Sequence, residues 1–99
     1  MAEPNEIIHQ PLRLKIMAAL WAQREREPLE FPLLKRITAA TDGNLGSHLN
    51  TLHRAGYITL EKEPVGARQR TRVALTPEGK TAFRRHIDYL REVIEGSTD

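Results

Sequence analysis

The stretch from position 42 to position 57 constrains the fold most, because it predicts a helix with two very different faces. Its apolar residues form one narrow stripe at helical spacing: Leu45, Leu49 and Leu52. Thr41 or Asp42 can supply the N-cap oxygen that binds the first free backbone N–H groups. Gly56 is placed to end the helix as a C′ glycine.

The opposite face of this helix carries short hydrogen-bonding side chains in place of the usual long charged ones. Its members are Asn44, Ser47, Asn50, Thr51 and Arg54. Small donors and acceptors allow close approach to a polar surface, and a DNA groove is the leading candidate for that surface. An ordinary solvated helix face is the alternative that this segment alone leaves open.

Two further helices and a short strand are predicted before this one. The first helix runs from Pro11 to about Gln23 and is largely buried, since its apolar residues cover most of its circumference. A short strand at positions 29–31 is followed by a second helix from Pro32 to about Ala40, with Lys35 and Arg36 on its outer face. Only a few residues separate this helix from the next. Residues 31–55 therefore predict a helix-turn-helix.

After Gly56 the apolar residues alternate with polar ones, which is the period of a β-strand. Two such runs flank a connection that contains Pro64 and Gly66, so residues 57–75 predict a β-hairpin with a loose, exposed tip. Three arginines follow the connection, with no acidic residue between positions 65 and 76: Arg68, Arg70 and Arg72. The hairpin thus offers positive charge to an anionic partner.

The last helix, predicted over residues 77–95, carries two apolar rows. One row consists of Phe83, Ile87, Leu90 and Ile94. The other consists of Ala82, Tyr89 and Val93 and is interrupted by His86. One row suffices to pack on a small domain, so the second predicts a partner chain. We expect a two-fold homodimer whose interface includes the following residues: Ile7, Ile8, Tyr89, Leu90, Val93 and Ile94.

The composition agrees with one domain over residues 1–99 of an ordinary globular protein, with 39% hydrophobic and 28% charged residues. A net charge of +2 permits an anionic partner without demanding one. The absence of cysteine excludes disulfides, cysteine zinc sites and thiol redox sensing, and we expect no cofactor. The acidic N-terminus is no signal peptide and no apolar run is long enough to span a membrane, so we expect a cytoplasmic protein.

Enzymatic activity is not expected. None of the four histidines, His9, His48, His53 and His86, lies in a metal-binding or nucleophile motif. His48 and His53 both flank the leucine stripe of the third helix, which predicts packing at the boundary or a hydrogen bond. The sequence also has no glycine-rich phosphate loop and no convincing carboxylate pair.

The order of the predicted elements and several motifs resemble a known family. The motifs are IHQPLRLKIM at 8–17, FPLLK at 31–35, DGNL at 42–45 with HL at 48–49, AGY at 55–57, and LTPEG at 75–79. Over nearly its whole length the chain resembles small winged helix-turn-helix transcriptional regulators of the MarR/ArsR type. The implied fold class is mainly α with a β-hairpin, that is, α+β.

This resemblance implies a sequence-specific regulator of transcription, associated with the nucleoid of a prokaryotic cell. Repression is the expected mode, and the third helix would enter the major groove of double-stranded DNA. The hairpin tip would reach the adjacent minor groove or its backbone, and the terminal helices would build a homodimer. The implied DNA-binding residues are Gly43, Asn44, Ser47, Asn50, Thr51, Arg54, Arg68, Arg70 and Arg72. The backbone N–H groups of Gly43 and Asn44 would bind a phosphate at the positive helix end.

Two questions stay open at this stage. A winged helix can also bind protein inside a transcription complex, although the hairpin arginines and the acid-free helix favour nucleic acid. The sequence does not decide whether a small-molecule effector exists. Such a ligand would bind between the helices of the dimer, since we expect no separate sensor domain.

Overall fold

The computed structural model describes residues 2–23 and 27–96, which hold four helices and one antiparallel sheet. The helices are α1 (Pro11–Trp21), α2 (Phe31–Thr38), α3 (Asp42–Arg54) and α4 (Pro77–Gly96). The strands are β1 (Leu29–Glu30), β2 (Ile58–Val65) and β3 (Arg68–Leu75), in the spatial order β1-β3-β2. The predicted α+β fold class and the winged helix-turn-helix are confirmed.

One apolar core lies among the first three helices, the sheet and the start of α4. Its buried members are Ile8, Ile16, Met17, Leu20, Leu29, Leu34, Leu45, Leu49, Leu52, Ile58, Val73 and Phe83. All three leucines of the stripe in α3 belong to it, as their spacing predicts. Fully burying each such side chain contributes about 1.5–3 kcal/mol, so the three leucines hold the inner face of α3 against the core.

Among the helices that the structure describes, none is both long enough and apolar enough to cross a membrane.

The hairpin differs from its prediction at the tip. β2 and β3 stay paired as far as Val65 and Arg68, which leaves only Gly66 and Ala67 to make the turn. Gly66 has a φ of +62°, the left-handed region that glycine enters without steric cost. The tip is therefore a tight turn on a continuous ladder, and the predicted loose tip is wrong. Pro64 did not stop the ladder, because it lies in an edge strand of the sheet, where a missing N–H is tolerated.

The start of α4 is fixed against the junction of α3 and β2. The hydroxyl of Thr76 accepts the backbone N–H of Gly79 at 2.9 Å and donates to the carbonyl of Gly56 at 2.6 Å. A Cβ atom on Gly79 would lie 2.0 Å from the carbonyl oxygen of Tyr57. Position 79 therefore has room only for glycine. The same residue prevents a full capping box, which needs a Glu or Gln there.

Helix α4 buries one face, and that face lies between the two rows that the sequence suggests. Its fully buried residues are Gly79, Phe83 and His86. No residue from position 87 to position 96 is fully buried, and Val93 and Ile94 are 51% and 65% exposed. The second half of α4 thus carries apolar side chains that the described residues leave exposed.

Candidate nucleic-acid interface

The turn between α2 and α3 sets how α3 is presented. Ala39 ends α2 with φ +55° and ψ +33°, and its own N–H and that of Ala40 bind carbonyls of the last turn of α2. Thr38 is buried, and its hydroxyl donates to the carbonyl of Leu34 at 2.7 Å. Three residues, 39–41, therefore separate two helices whose ends are both hydrogen-bonded. This is the tight turn that a helix-turn-helix requires.

The N-terminus of α3 is partly satisfied by its own cap. Thr41 is the N-cap, and its hydroxyl accepts the backbone N–H of Asn44 at 3.2 Å. Of the predicted pair of phosphate donors, Asn44 therefore already donates its N–H to the cap, whereas the N–H of Gly43 has no acceptor among the described residues. Lys35 of α2 forms an ion pair with Asp42 at 2.8 Å, which places a cation beside this helix end.

The outer face of α3 is open over its whole length. Ser47, Asn50, His53 and Arg54 line a shallow cleft of about 260 Å³ on this face. Five of the residues expected to contact DNA are exposed: Gly43, Asn44, Ser47, Asn50 and Arg54. Thr51 is half-buried, and its hydroxyl donates to the carbonyl of Ser47 at 3.3 Å, so it can only accept from a base.

His53 belongs to this face, and the sequence analysis misplaced it. It is exposed beside Asn50 and Arg54, whereas we expected it at the boundary with the core. His53 lies three residues after Asn50, and residues i and i+3 share a helix face. This spacing could have predicted that His53 lies on the outer face.

His48 lies on the inner side of α3 and makes the predicted hydrogen bond. Its Nδ1 is 3.0 Å from an Nη1 atom of Arg13, whose guanidinium also donates to the carbonyl of Ile7. Arg13 is a donor only, so Nδ1 is the acceptor. Burial, and secondly the nearby charge of Arg13, lower the pKa of His48 below its usual value. This side chain therefore supports α3 in its neutral form.

The hairpin, which we call the wing (β2, the turn and β3), presents its arginines together with acidic side chains. Arg70 and Arg72 lie on β3, and their guanidinium groups reach the carboxylate of Glu63 on β2 at 2.8 and 3.3 Å. Arg70 also reaches Glu30 of β1 at 3.3 Å. The absence of acid within residues 65–76 is thus misleading, because the sheet brings acids from the neighbouring strands. Arg68, near the tip, is exposed and forms no ion pair with any residue of the described ranges.

The N-terminal segment is tied to α4 by a hydrogen-bond cluster that the sequence analysis missed. The backbone N–H of Asn5 donates to Nδ1 of His86 at 3.0 Å, and its side-chain amide donates to the hydroxyl of Tyr57 at 3.0 Å. His86 is fully buried, and its Nε2 finds no partner within the described ranges. Burial, and then the charge of His9, lower the pKa of His86.

Of the six residues expected at a dimer interface, five keep some exposed surface and one does not. Ile8 is fully buried in the core of its own chain, so it has no surface to offer a partner and drops out of the predicted interface. Ile7, Tyr89 and Leu90 are half-buried, and Val93 and Ile94 are exposed. The backbone N–H of Ala2 donates to the carboxylate of Glu92 at 3.0 Å, which places the N-terminal segment beside this half of α4.

Comparison with known proteins agrees with this geometry. Residues 12–94 match the family described as winged helix DNA-binding domain. An uncharacterised protein of Methanocaldococcus jannaschii is 34% identical over 90 residues, with 91% of each chain covered. The structure of a transcriptional regulator homologue from Pyrococcus horikoshii superposes with a TM-score of 0.81 at 33% identity, covering 93% of this chain and 88% of that one.

More distant structures share the fold. A MarR-family transcriptional regulator from Silicibacter pomeroyi gives a TM-score of 0.69 at 22% identity, over 86% of this chain and 54% of that one. The structure of NadR in complex with 4-hydroxyphenylacetate gives a TM-score of 0.64 at 21% identity, over 94% of this chain and 68% of that one. The chain belongs to the family of winged helix DNA-binding domains.

Proposed function

We propose that this protein is a transcriptional regulator that binds double-stranded DNA, with α3 in the major groove and the wing on the flanking backbone or minor groove. The observation that carries the proposal is the outer face of α3. From Gly43 to Arg54 it has no acidic residue, its side chains are short, and it is exposed along its length. Such a face can approach base edges without displacing long charged side chains.

The side chains of this face have distinct roles in the proposal. Asn50 can bind the two groups of an adenine edge, and Arg54 can bind a guanine or a phosphate. The N–H of Gly43 lies at the positive helix end, where a phosphate would be stabilised, and Lys35 would first have to release its ion pair with Asp42 to reach the same phosphate. Phosphate contacts of this kind fix the orientation of α3, and the base contacts supply the sequence preference.

Selection of bound sequences from a random duplex pool at about 50 mM salt, followed by a salt titration, tests this proposal. A dimer that neutralises about eight phosphates should give a slope of log affinity against log salt near −7. Failure to enrich any duplex would contradict it. That result would favour the second use of the fold, docking to another protein of a transcription complex.

We also propose that the second half of α4 binds a second copy of the chain. Val93 and Ile94 are exposed, and Tyr89, Leu90 and Ile7 border them, so an apolar surface remains uncovered beside the N-terminal segment. A two-fold axis through this surface would place two α3 helices about 34 Å apart, one turn of DNA. The preferred site would then be palindromic. Repression is the expected mode, because a dimer bound across a promoter excludes other proteins from it.

Light scattering tests the assembly directly. The unmodified protein should be a dimer at micromolar concentration, and Ile94→Glu should shift it to a monomer that still unfolds cooperatively, since residue 94 is 65% exposed and lies outside the core. The melting temperature should fall only by the part that dimerisation adds. Ile37→Glu is the matched control, because Ile37 is a 51% exposed isoleucine on α2. A monomeric unmodified protein would contradict the dimer without affecting the DNA-binding proposal.

A further inference from the structure

The pairing of the three strands puts the wing arginines and three glutamates on one face of the sheet. Arg68, Arg70 and Arg72 alternate along β3 and therefore share a face. The residues directly opposite them on β2 are Val65, Glu63 and Glu61, and Glu30 on β1 is opposite Arg72. Directly opposed residues of an antiparallel pair lie on the same face. This face thus has three cations, three acids and no net formal charge.

Glu63 is the acid that the arginines share. One of its carboxylate oxygens accepts from Nε and Nη2 of Arg70 at 3.1 and 2.8 Å, and from Nη2 of Arg72 at 3.3 Å. Glu61 lies on β2, as Glu63 does, and is directly opposite Arg72. It forms no ion pair with a residue that the structure describes. Arg68 is opposite an apolar residue, Val65.

This arrangement has a direct consequence for binding to phosphate. A guanidinium group that already donates to a carboxylate must lose that contact before it can donate to a phosphate oxygen in the same geometry. The side chains of Arg70, Arg72 and Glu63 are all more than one-third exposed, so each pair is weak and can be displaced. The cost falls on every DNA sequence, and only a well-fitted site can offset it with further contacts.

We propose that Glu63 sets the DNA selectivity of the wing by competing with phosphate for Arg70 and Arg72. The inference rests on the proposed DNA binding. Arg68 is available to any duplex, whereas the other two arginines bind only where the DNA fits closely enough to displace the Glu63 carboxylate. Glu63 therefore lowers affinity for arbitrary DNA more than affinity for the selected site.

The variant Glu63→Gln tests this, with Glu61→Gln as the matched control on the same face and strand. Each variant is titrated against the selected duplex and against an unrelated duplex of equal length, at several salt concentrations. Glu63→Gln should raise affinity for unrelated DNA about three- to tenfold, raise affinity for the selected site less, and make the salt slope for unrelated DNA steeper by about one unit. Glu61→Gln removes the same charge without freeing an arginine and should have a clearly smaller effect.

A second comparison separates release of the arginines from a long-range charge effect. In a background of Arg70→Gln and Arg72→Gln, the further change Glu63→Gln should gain almost nothing, since no guanidinium remains to be released. Equal gains from Glu63→Gln and Glu61→Gln, an undiminished gain in that background, or a loss of affinity in Glu63→Gln would each overturn the inference. Absence of DNA binding by the unmodified protein would instead contradict the proposed function itself.

Discussion

Helix α3 and the wing are two exposed polar surfaces of one small domain, but their charges are arranged in opposite ways. The outer face of α3 has few charges, and no acid lies between Gly43 and Arg54. The wing has many charges, and two of its three arginines bind glutamates of neighbouring strands. The α3 face is therefore ready for contact as it stands, whereas the wing must exchange partners first.

Charge content and availability for binding are therefore separate properties of a surface. The arginines of the wing make it the more basic segment in the sequence, yet its outer face is electrically balanced. The short side chains of α3 contribute little net charge but can approach base edges closely. We expect α3 to carry sequence preference and the wing to carry salt-sensitive affinity.

Among the variants considered, Asn50→Ala should change the sequence preference of DNA binding most. Loss of a two-point contact to one base should cost about 1–3 kcal/mol at one or two base pairs of the selected site and little elsewhere. Binding to a panel of single-base variants of that site measures this effect. Arg68→Ala is the contrasting variant and should leave the preference unchanged, because Arg68 forms no ion pair within the described residues and is available to any duplex. Uniform weakening by both variants would show that α3 does not read bases.

Arg68, unpaired among the described residues, and the paired Arg70 should differ in how much each contributes to the salt dependence of DNA binding. Arg68→Ala should flatten the salt slope on unrelated DNA by roughly one unit, because Arg68 is free to bind phosphate in any duplex. Arg70→Ala should change that slope less, because its guanidinium is held by Glu63 and Glu30. Equal changes in slope would show that the ion pairs do not hinder phosphate binding.

Helix α3 could be predicted from the sequence, whereas the charge arrangement of the wing could not. Local patterns predicted α3, its cap and its core stripe, because the period and end signals of a helix lie within a few residues of each other. The balance of charge on the wing depends on strand register, which brings Glu63 beside Arg70 and Arg72. No local sequence pattern specifies that register, so nothing in the sequence indicated that Arg70 and Arg72 are paired with a glutamate.

Two buried residues of α4 illustrate the same limit. Gly79 is required because the carbonyl of Tyr57, 22 residues earlier, lies where its Cβ would be. His86 interrupts an apolar row in the sequence but binds the backbone of Asn5, 81 residues away. Both reasons involve distant segments, whereas the positions of the helices themselves followed from local spacing.

Gly46→Ala should separate stability from binding at the edge of the α3 face. Nothing lies within 4 Å of a Cβ built at this position, so alanine fits and should raise the free energy of unfolding by about 0.8–1 kcal/mol. Gly46 lies one turn from both Gly43 and Asn50, so the added methyl group should also meet closely approaching DNA. We therefore expect a more stable protein with weaker binding, measured by urea unfolding and by titration. An increase in both the free energy of unfolding and the DNA affinity would show that DNA does not closely approach this side of α3.

The smallest effect that we predict is the response to pH, and it acts on α3 and the N-terminal segment but not on the wing. His48 and His86 have pKa values lowered in the fold, mainly by burial. As pH falls below about 6.5, the usual histidine pKa, the unfolded chain takes up protons that these two side chains resist in the folded chain. Their contribution to stability is therefore complete above about pH 6.5 and is lost as pH falls through the lowered values.

Urea unfolding between pH 7.5 and 5.5 measures this contribution without adding salt. The replacements His48→Asn and His86→Asn keep an oxygen near the position of Nδ1, so the hydrogen bonds to Arg13 and to the N–H of Asn5 can persist without a titrating group. Each variant should lose part of the decline in the free energy of unfolding at acid pH, and the double variant should lose the most. Added salt should leave this decline largely in place while it weakens the exposed wing pairs. Identical pH profiles for the double variant and the unmodified protein would show that neither histidine stabilises the fold through its neutral form.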